Sequence, residues 1–184
     1  LTPFVISNTY GIRLRNFDIS GAANGVWLQD SLFCAGDWLS AQRGSNGVLA
    51  TTSSNIVLQH CAFVGNYGGG VQFAHRGTLN IDSCVLWSNK YGLLLKQGKA
   101  SIQNSILGMV VPESYGYFFY SDKPETSLSA NFNNLFVADK DSAVAASVAG
   151  TRTSTYYSVA RWNATGKDIN SLAQDPLLVD PGKQ

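Results

Sequence analysis

The sequence predicts an all-β chain wound as a right-handed parallel β-helix, a three-sheet solenoid of about 22–23 residues per coil with an irregular C-terminal tail. Three observations carry this. A glycine followed by an apolar run recurs at Gly11, Gly25, Gly47, Gly70, Gly92 and Gly116, spaced 14, 22, 23, 22 and 24 residues apart. A second alternating run recurs between them, as IVLQHCAF from Ile56, LNIDSCVL from Leu79, ASIQNSIL from Ala100 and LSANFNNLF from Leu128. Aligning those runs stacks Asn16, His60, Ser83, Asn104 and Asn133 at one polar position, which suits a tight turn because such residues tolerate left-handed backbone angles. Alternation with period two and β-branched or aromatic residues marks strands, and no segment has the helical half that a leucine-rich repeat would need.

In chain order, PFVISN reads as a strand, and GIRLRNFDISG as a first coil led by Gly11 with Arg13 and Arg15 on its outer side. GVWLQD follows. SLFCAGDWLSAQRGS is irregular, with Asp37, Trp38 and Arg43 breaking the pattern as a longer turn. Five to six coils are expected, with Val71, Phe73, Leu79, Ile81, Cys84, Leu86, Leu93, Leu95 and Ile102 inside. DKPETS is a charged turn and LSANFNNLFVA the last rung, so residues 1–138 form the coils. Residues 139–184 are a strap with a short helix at Ser158 to Ala164, packing on the solenoid and not an independent domain. Its apolar residues are expected to cover the outer face of the first sheet.

Composition fits one domain. Charged residues make up 14% of the chain, against roughly 25% in an average protein, as expected of coils that expose Asn, Ser, Gln and Thr. A net charge of +1 with no basic run argues against nucleic acid or an anionic membrane as partner, and no apolar run approaches a membrane span. The chain opens at Leu1 directly in strand-like sequence and reads as a mature product or a piece of a longer chain. Its first strand carries no cap, so a neighbouring chain or missing sequence is expected to cover the N-terminal end.

Cys61 and Cys84 occupy the same repeat position and should stack inside at the ~4.8 Å coil spacing, either reduced or as a disulfide. His60 reads as a turn residue. No metal or cofactor motif is present in the sequence.

The stretches IDSCVLWSNKYGLLL and LQHCAFVGNYGGGV resemble the pectin-lyase-like superfamily, whose repeats read i-x-N-x-x-i-x-x-N-x-x-G-i, and the resemblance covers residues 5 to 137. The tail SVARWNATGKDINSLAQDPLLVDPGK is similar to the closing segment of many secreted β-helix proteins, through Trp162, Gly166, Asp168, Ser171, Asp175, Pro176, Asp180 and Pro181. This implies a secreted or cell-surface protein of the carbohydrate-active kind.

In such families chemistry lies on the outer face of the first sheet. Alternation puts Arg13, Arg15, Trp27, Gln29, Leu49, Thr51, Gln72, Ala74, Leu94, Lys96, Phe118 and Tyr120 there, without a carboxylate. A glycoside hydrolase needs paired carboxylates and a calcium-dependent lyase needs several. The expected function is therefore a non-catalytic or partial β-helix domain that binds or presents to polysaccharide through Trp27, Arg13, Arg15, Gln29, Gln72, Lys96 and Phe118. A polysaccharide lyase or epimerase using His75, Arg76 or Lys96, and a structural filament or surface-layer unit, stand as alternatives.

Overall fold

The structure, a computed structural model, describes residues 4–121, 123, 125–138, 142–149 and 153–177. The first sheet stacks β1 (Phe4–Ser7), β3 (Asn24–Gln29) and β5 (Asn46–Ala50), then the leading halves of β8 (Gly69–Asp82) and β10 (Tyr91–Gln103), then β12 (Tyr115–Tyr120) and β15 (Ala143–Ala149). The second sheet takes the leading halves of β2 (Arg13–Ser20) and β4 (Leu32–Gln42), then β6 (Ser54–Gln59), the trailing halves of β8 and β10, and β13 (Ser127–Asn131). The third takes the trailing halves of β2 and β4, then β7 (Ala62–Val64), β9 (Val85–Trp87), β11 (Ile106–Met109) and β14 (Asn134–Val137). All these pairs are parallel, so the chain is the expected β-helix.

The recurring glycines have a steric cause. A Cβ built on Gly47 would lie 2.5 Å from the Gly70 carbonyl oxygen, one on Gly70 would lie 2.9 Å from that of Gly92, and one on Gly92 would lie 2.5 Å from that of Gly116. Neighbouring coils thus approach too closely at the entrance to the first sheet for any side chain.

The corner between the second and third sheets is one residue in the left-handed region. Asn16, Trp38, His60, Ser83, Asn104 and Phe132 all lie there, with φ between 52° and 59°. Two expectations are corrected by this column. The second coil is regular, Trp38 taking the corner position without a longer turn, and Phe132 rather than Asn133 turns the last rung. Asn133 points inward and is buried.

All nine side chains expected inside are buried, each large aliphatic or aromatic one contributing about 1.5–3 kcal/mol. Cys34, Cys61 and Cys84 are buried free thiols. Cys61 and Cys84 belong to an inner ladder of hydrogen bonds beside the corner. The Cys61 amide donates to Cys84 Sγ at 3.4 Å, the Cys84 amide to Ser105 Oγ at 3.1 Å, and the Ser105 amide to Asn133 Oδ1 at 3.0 Å. Contact with the Cys61 thiol, and then burial, push the Cys84 thiol well up from its ordinary range.

The tail differs from the expected strap over the outer face. β15 adds a parallel rung to the first sheet, and β16 (Thr153–Tyr157) adds an antiparallel one. The helix α1 (Val159–Asn163), with Ser158 as its N-cap, then places Trp162 against Tyr117, with ring centroids 5.4 Å apart. Among the described residues the tail closes the C-terminal end of the solenoid and leaves the outer face of the first sheet uncovered. Leu178, expected in the strap, lies outside the described residues.

Candidate functional site

The first sheet presents Trp27, Leu49, Gln72, Leu94 and Phe118 in one in-register column. Trp27, Gln29, Gln72 and Phe118 are half-buried and Lys96 is exposed. Lys96 sits where β10 slips register against β8, so its position follows from a bulge rather than from strict alternation. Trp27 Nε1 donates to Thr51 Oγ1 at 3.4 Å.

Phe118 is not a solitary platform. Its ring lies 4.9 Å from Tyr91, 5.8 Å from Tyr115 and 6.1 Å from Tyr120. Tyr91 stacks on Tyr115 at 6.0 Å, and Tyr115 on Tyr156 of β16 at 5.7 Å. The result is a band of five rings crossing successive rungs at the C-terminal half of the first sheet. Burial, and then the neighbouring Tyr156, push the Tyr115 phenol up to about 12. Sequence alternation found Phe118 and Tyr120 but missed Tyr91 and Tyr115. Their position one residue before the column glycines, Tyr91-Gly92 and Tyr115-Gly116, was the available signal.

Arg13 and Arg15 are not on this face. They pair with Ala35 and Asp37 in the second sheet, because Gly11 is a corner glycine with φ 73° and does not lead a first-sheet strand. The strand that leads the first sheet is β1.

Around Arg13 and Arg15 the fold assembles a charged cluster. Asp37 Oδ2 accepts from Arg15 Nε at 3.1 Å, from an Arg15 terminal nitrogen at 2.8 Å and from an Arg13 terminal nitrogen at 3.3 Å. Asp37 Oδ1 lies 3.0 Å from His60 Nδ1. The hydrogen bond with His60, and then those from Arg15, hold the Asp37 carboxyl below the usual carboxylate range. His60 is a turn residue, as expected, and is also stacked on Trp38 at 4.8 Å with ring planes 14° apart.

The three catalytic candidates lie on adjacent rungs, His75 and Arg76 following Ala74, which pairs with Gln97 beside Lys96. His75 Nδ1 is buried without a hydrogen-bond partner. Arg76 Nε lies 3.8 Å from Glu125 Oε2 with both side chains more than half exposed, a surface pair of little energetic weight. Among the described residues no hydrogen bond or ion pair joins His75 to Arg76 or Lys96.

Among the described residues no helix is long and apolar enough to cross a membrane. A comparison with curated proteins gave no match. The family described as "Right handed beta helix region" matches residues 5–107, the span that contains the glycine column up to Gly92, the corner column up to Asn104 and most of the first sheet. With that match over more than half of its length and the observed three-sheet parallel winding, the chain belongs to the right-handed β-helix family.

Proposed function

We propose that this protein is a non-catalytic β-helix domain of a secreted or cell-surface protein, and that the outer face of its first sheet binds polysaccharide. The observation that carries this reading is the ring band of Tyr91, Tyr115, Phe118, Tyr120 and Tyr156 across successive rungs of the first sheet. Ring faces set out along a flat parallel sheet match an extended glycan, whose apolar C–H faces recur at regular intervals. Gln72 and Lys96 lie on the same face to supply hydrogen bonds. Against the lyase or epimerase reading stands the lack, among the described residues, of any hydrogen bond or ion pair joining His75, Arg76 and Lys96. A general base must reach its proton at about 2.6–3.2 Å, and His75 Nδ1 is buried with no hydrogen-bond partner among the described residues.

Affinity electrophoresis through gels carrying neutral and acidic polysaccharides tests this. The wild-type chain is expected to be retarded by at least one of them, and Tyr115→Ala and Phe118→Ala to run freely. Equal retardation of wild type and both variants would remove the first sheet as the binding face.

A further inference from the structure

The cluster on the second sheet is built differently from the rest of the solenoid surface. Its corner column favours small polar residues, and Asn16, His60, Ser83 and Asn104 supply them. Trp38 and Phe132 depart from that rule, and of the two only Trp38 adjoins the charged cluster. A non-glycine side chain held in the left-handed region costs on the order of 1–3 kcal/mol, and Trp38 recovers little of it by burial, since it is 58% exposed. Its ring stacks on that of His60, nearly parallel to it at 4.8 Å. One face of the indole is therefore backed by imidazole, and the neighbour on the preceding coil in this column is the small Asn16.

The guanidinium groups beside it are fixed rather than free. Asp37, with 7% of its side chain exposed, holds both, while the Arg13 and Arg15 side chains remain 59% and 57% exposed. Arg13 spends one N–H on Asp37 and Arg15 spends two. Each guanidinium has five N–H donors, and among the described residues the others have no protein partner. Two arginines against one aspartate leave the cluster at +1 without counting His60. Fixed guanidinium forks are suited to bidentate recognition of a planar anion, and the adjacent indole offers an apolar ring face. The strained corner position and the pinned arginines are independent features, and they meet at one place.

We propose that Arg13, Arg15 and Trp38, with His60 backing the indole, form a binding site for an acidic saccharide unit. Its carboxylate or sulfate group bonds the guanidinium pair and its ring packs on Trp38. This site lies on the second sheet and its corner, separate from the ring band of the first sheet, and does not depend on the reading given for that band. Asp37 is a positioning residue, holding the guanidinium groups in place.

Isothermal titration with short oligosaccharides of three kinds, uronate-bearing, sulfated and neutral, tests the proposal and separates the two anion sources. Trp38→Asn is the informative variant, because asparagine is already used at this corner and tolerates its backbone angles. The expected result is binding of a uronate-bearing or sulfated oligosaccharide, weakened at least tenfold by Trp38→Asn and about fivefold by Arg13→Gln. The neutral oligosaccharide should bind neither variant differently from wild type, and Arg43→Gln, which removes an exposed arginine that takes no part in the cluster, should leave acidic-saccharide binding unchanged. Absence of acidic-saccharide binding by the wild-type chain overturns the proposal, as does affinity unaltered in a folded Trp38→Asn. Loss of that binding in Phe118→Ala alone assigns it to the first sheet, with the same consequence. A nucleoside monophosphate that binds more tightly than either acidic oligosaccharide would show that the site reads a different ring and anion.

Discussion

The two ends of the solenoid face the same physical problem and are treated in opposite ways. Every coil buries its apolar lining against the coils on either side, so the first and last rungs each have one uncovered face. At the C-terminal end Trp162 is 1% exposed, packed on Tyr117, Phe119 and Tyr157. At the N-terminal end Phe4, Val5 and Phe17 are 43%, 47% and 40% exposed. Among the described residues β1 pairs only with β3 and β2 only with β4. An apolar cavity lined by Ile6, Ile12, Leu14, Val26 and Leu28 lies beneath them.

What the difference teaches is that the cap is a continuation of the coil's own hydrogen bonding, and not merely an apolar lid. The inner ladder that runs from Cys61 through Cys84 and Ser105 to Asn133 does not stop at the last coil. The Asn133 amide donates to Ser171 Oγ at 2.8 Å, and Asn133 Nδ2 donates to Asp168 Oδ1 at 2.8 Å. Asp168 is fully buried and also accepts from Trp162 Nε1 at 2.8 Å and from Ser171 Oγ at 2.6 Å. The Leu172 amide and carbonyl then add one more pair of backbone bonds to Asn133 and Leu135. The tail supplies the acceptors that another coil would have supplied. Among the described residues the N-terminal rungs offer no matching set.

The contrast can be broken most severely at Trp162. Trp162→Ala empties the largest side chain of the cap, and truncations of this kind cost about 3–5 kcal/mol. Urea denaturation followed by far-ultraviolet circular dichroism should register that loss, with the C-terminal rungs the first to lose amide protection in hydrogen exchange. A change below about 1 kcal/mol would mean that the tail rests on the end without stabilising it. Asp168→Ala should come next. It leaves the buried Trp162 Nε1 without its acceptor, at about 1–3 kcal/mol, while Asn133 Nδ2 keeps Ile102 O at 3.1 Å and Tyr117 Oη at 3.2 Å. Partial relief by water would show as a loss near the bottom of that range.

A smaller effect separates the second buried carboxyl group, Asp37, from the cap. The folded carboxyl is held below its unfolded value of about 3.9, so its ionised form favours the folded chain. That contribution is complete above roughly pH 4 and is lost as pH falls through the lower folded value. Between pH 5 and pH 2 the wild-type chain should therefore lose more stability than Asp37→Asn does. Parallel loss in both would place the acid sensitivity elsewhere.

How much of this the sequence made legible depends on whether a residue is dictated by backbone sterics or by a choice among side chains. The glycine column was legible because a Cβ at Gly47, Gly70 or Gly92 collides with a carbonyl of the next coil. The buried alternation from Val71 to Ile102 was legible because each of its side chains has only the core to face. The corner column was legible at Asn16, His60, Ser83 and Asn104, whose types suit left-handed angles, and hidden at Trp38 and Phe132, whose types do not. Arg13 and Arg15 were assigned to the wrong sheet because Gly11 was counted among the first-sheet glycines. The interval of 14 residues to Gly25, against 22 to 24 elsewhere, was the visible sign that Gly11 marks a corner. The charged cluster stayed hidden for the same reason, since Asp37 joins Arg15 only after the register is set. β15 was missed because AVAASVA is alanine-rich and lacks the β-branched density of the other strands.

The smallest change in stability is expected at the N-terminal end, where β1 and β2 each have one partner strand among the described residues and the consequence is association. Phe17 is partly exposed and its ring meets that of Phe4 at 5.4 Å, so Phe17→Ser should alter monomer stability by only about 1 kcal/mol. An open parallel edge with apolar rings beside it invites pairing with another chain, and two geometries are available. Head-to-tail stacking would generate a filament, but it requires a receptive C-terminal end, and that end is occupied by β16, α1 and the Asp168 network. Head-to-head pairing of two N-terminal ends is closed and isologous, so each copy contributes the same Phe4 and Phe17 surface to the contact. We therefore expect a dimer and not a fibre. Because the symmetric contact contains Phe17 twice, Phe17→Ser should weaken it far more than it weakens the fold. Sedimentation velocity over a hundredfold range of concentration reads this directly, with the wild-type chain moving from monomer to dimer and Phe17→Ser remaining monomeric. If the wild-type chain stays monomeric throughout, or if the substitution leaves its association untouched, the open end does not pair with itself. The uncapped variant Trp162→Ala offers the complementary reading, since a freed C-terminal end restores the head-to-tail route and should extend dimers into longer assemblies.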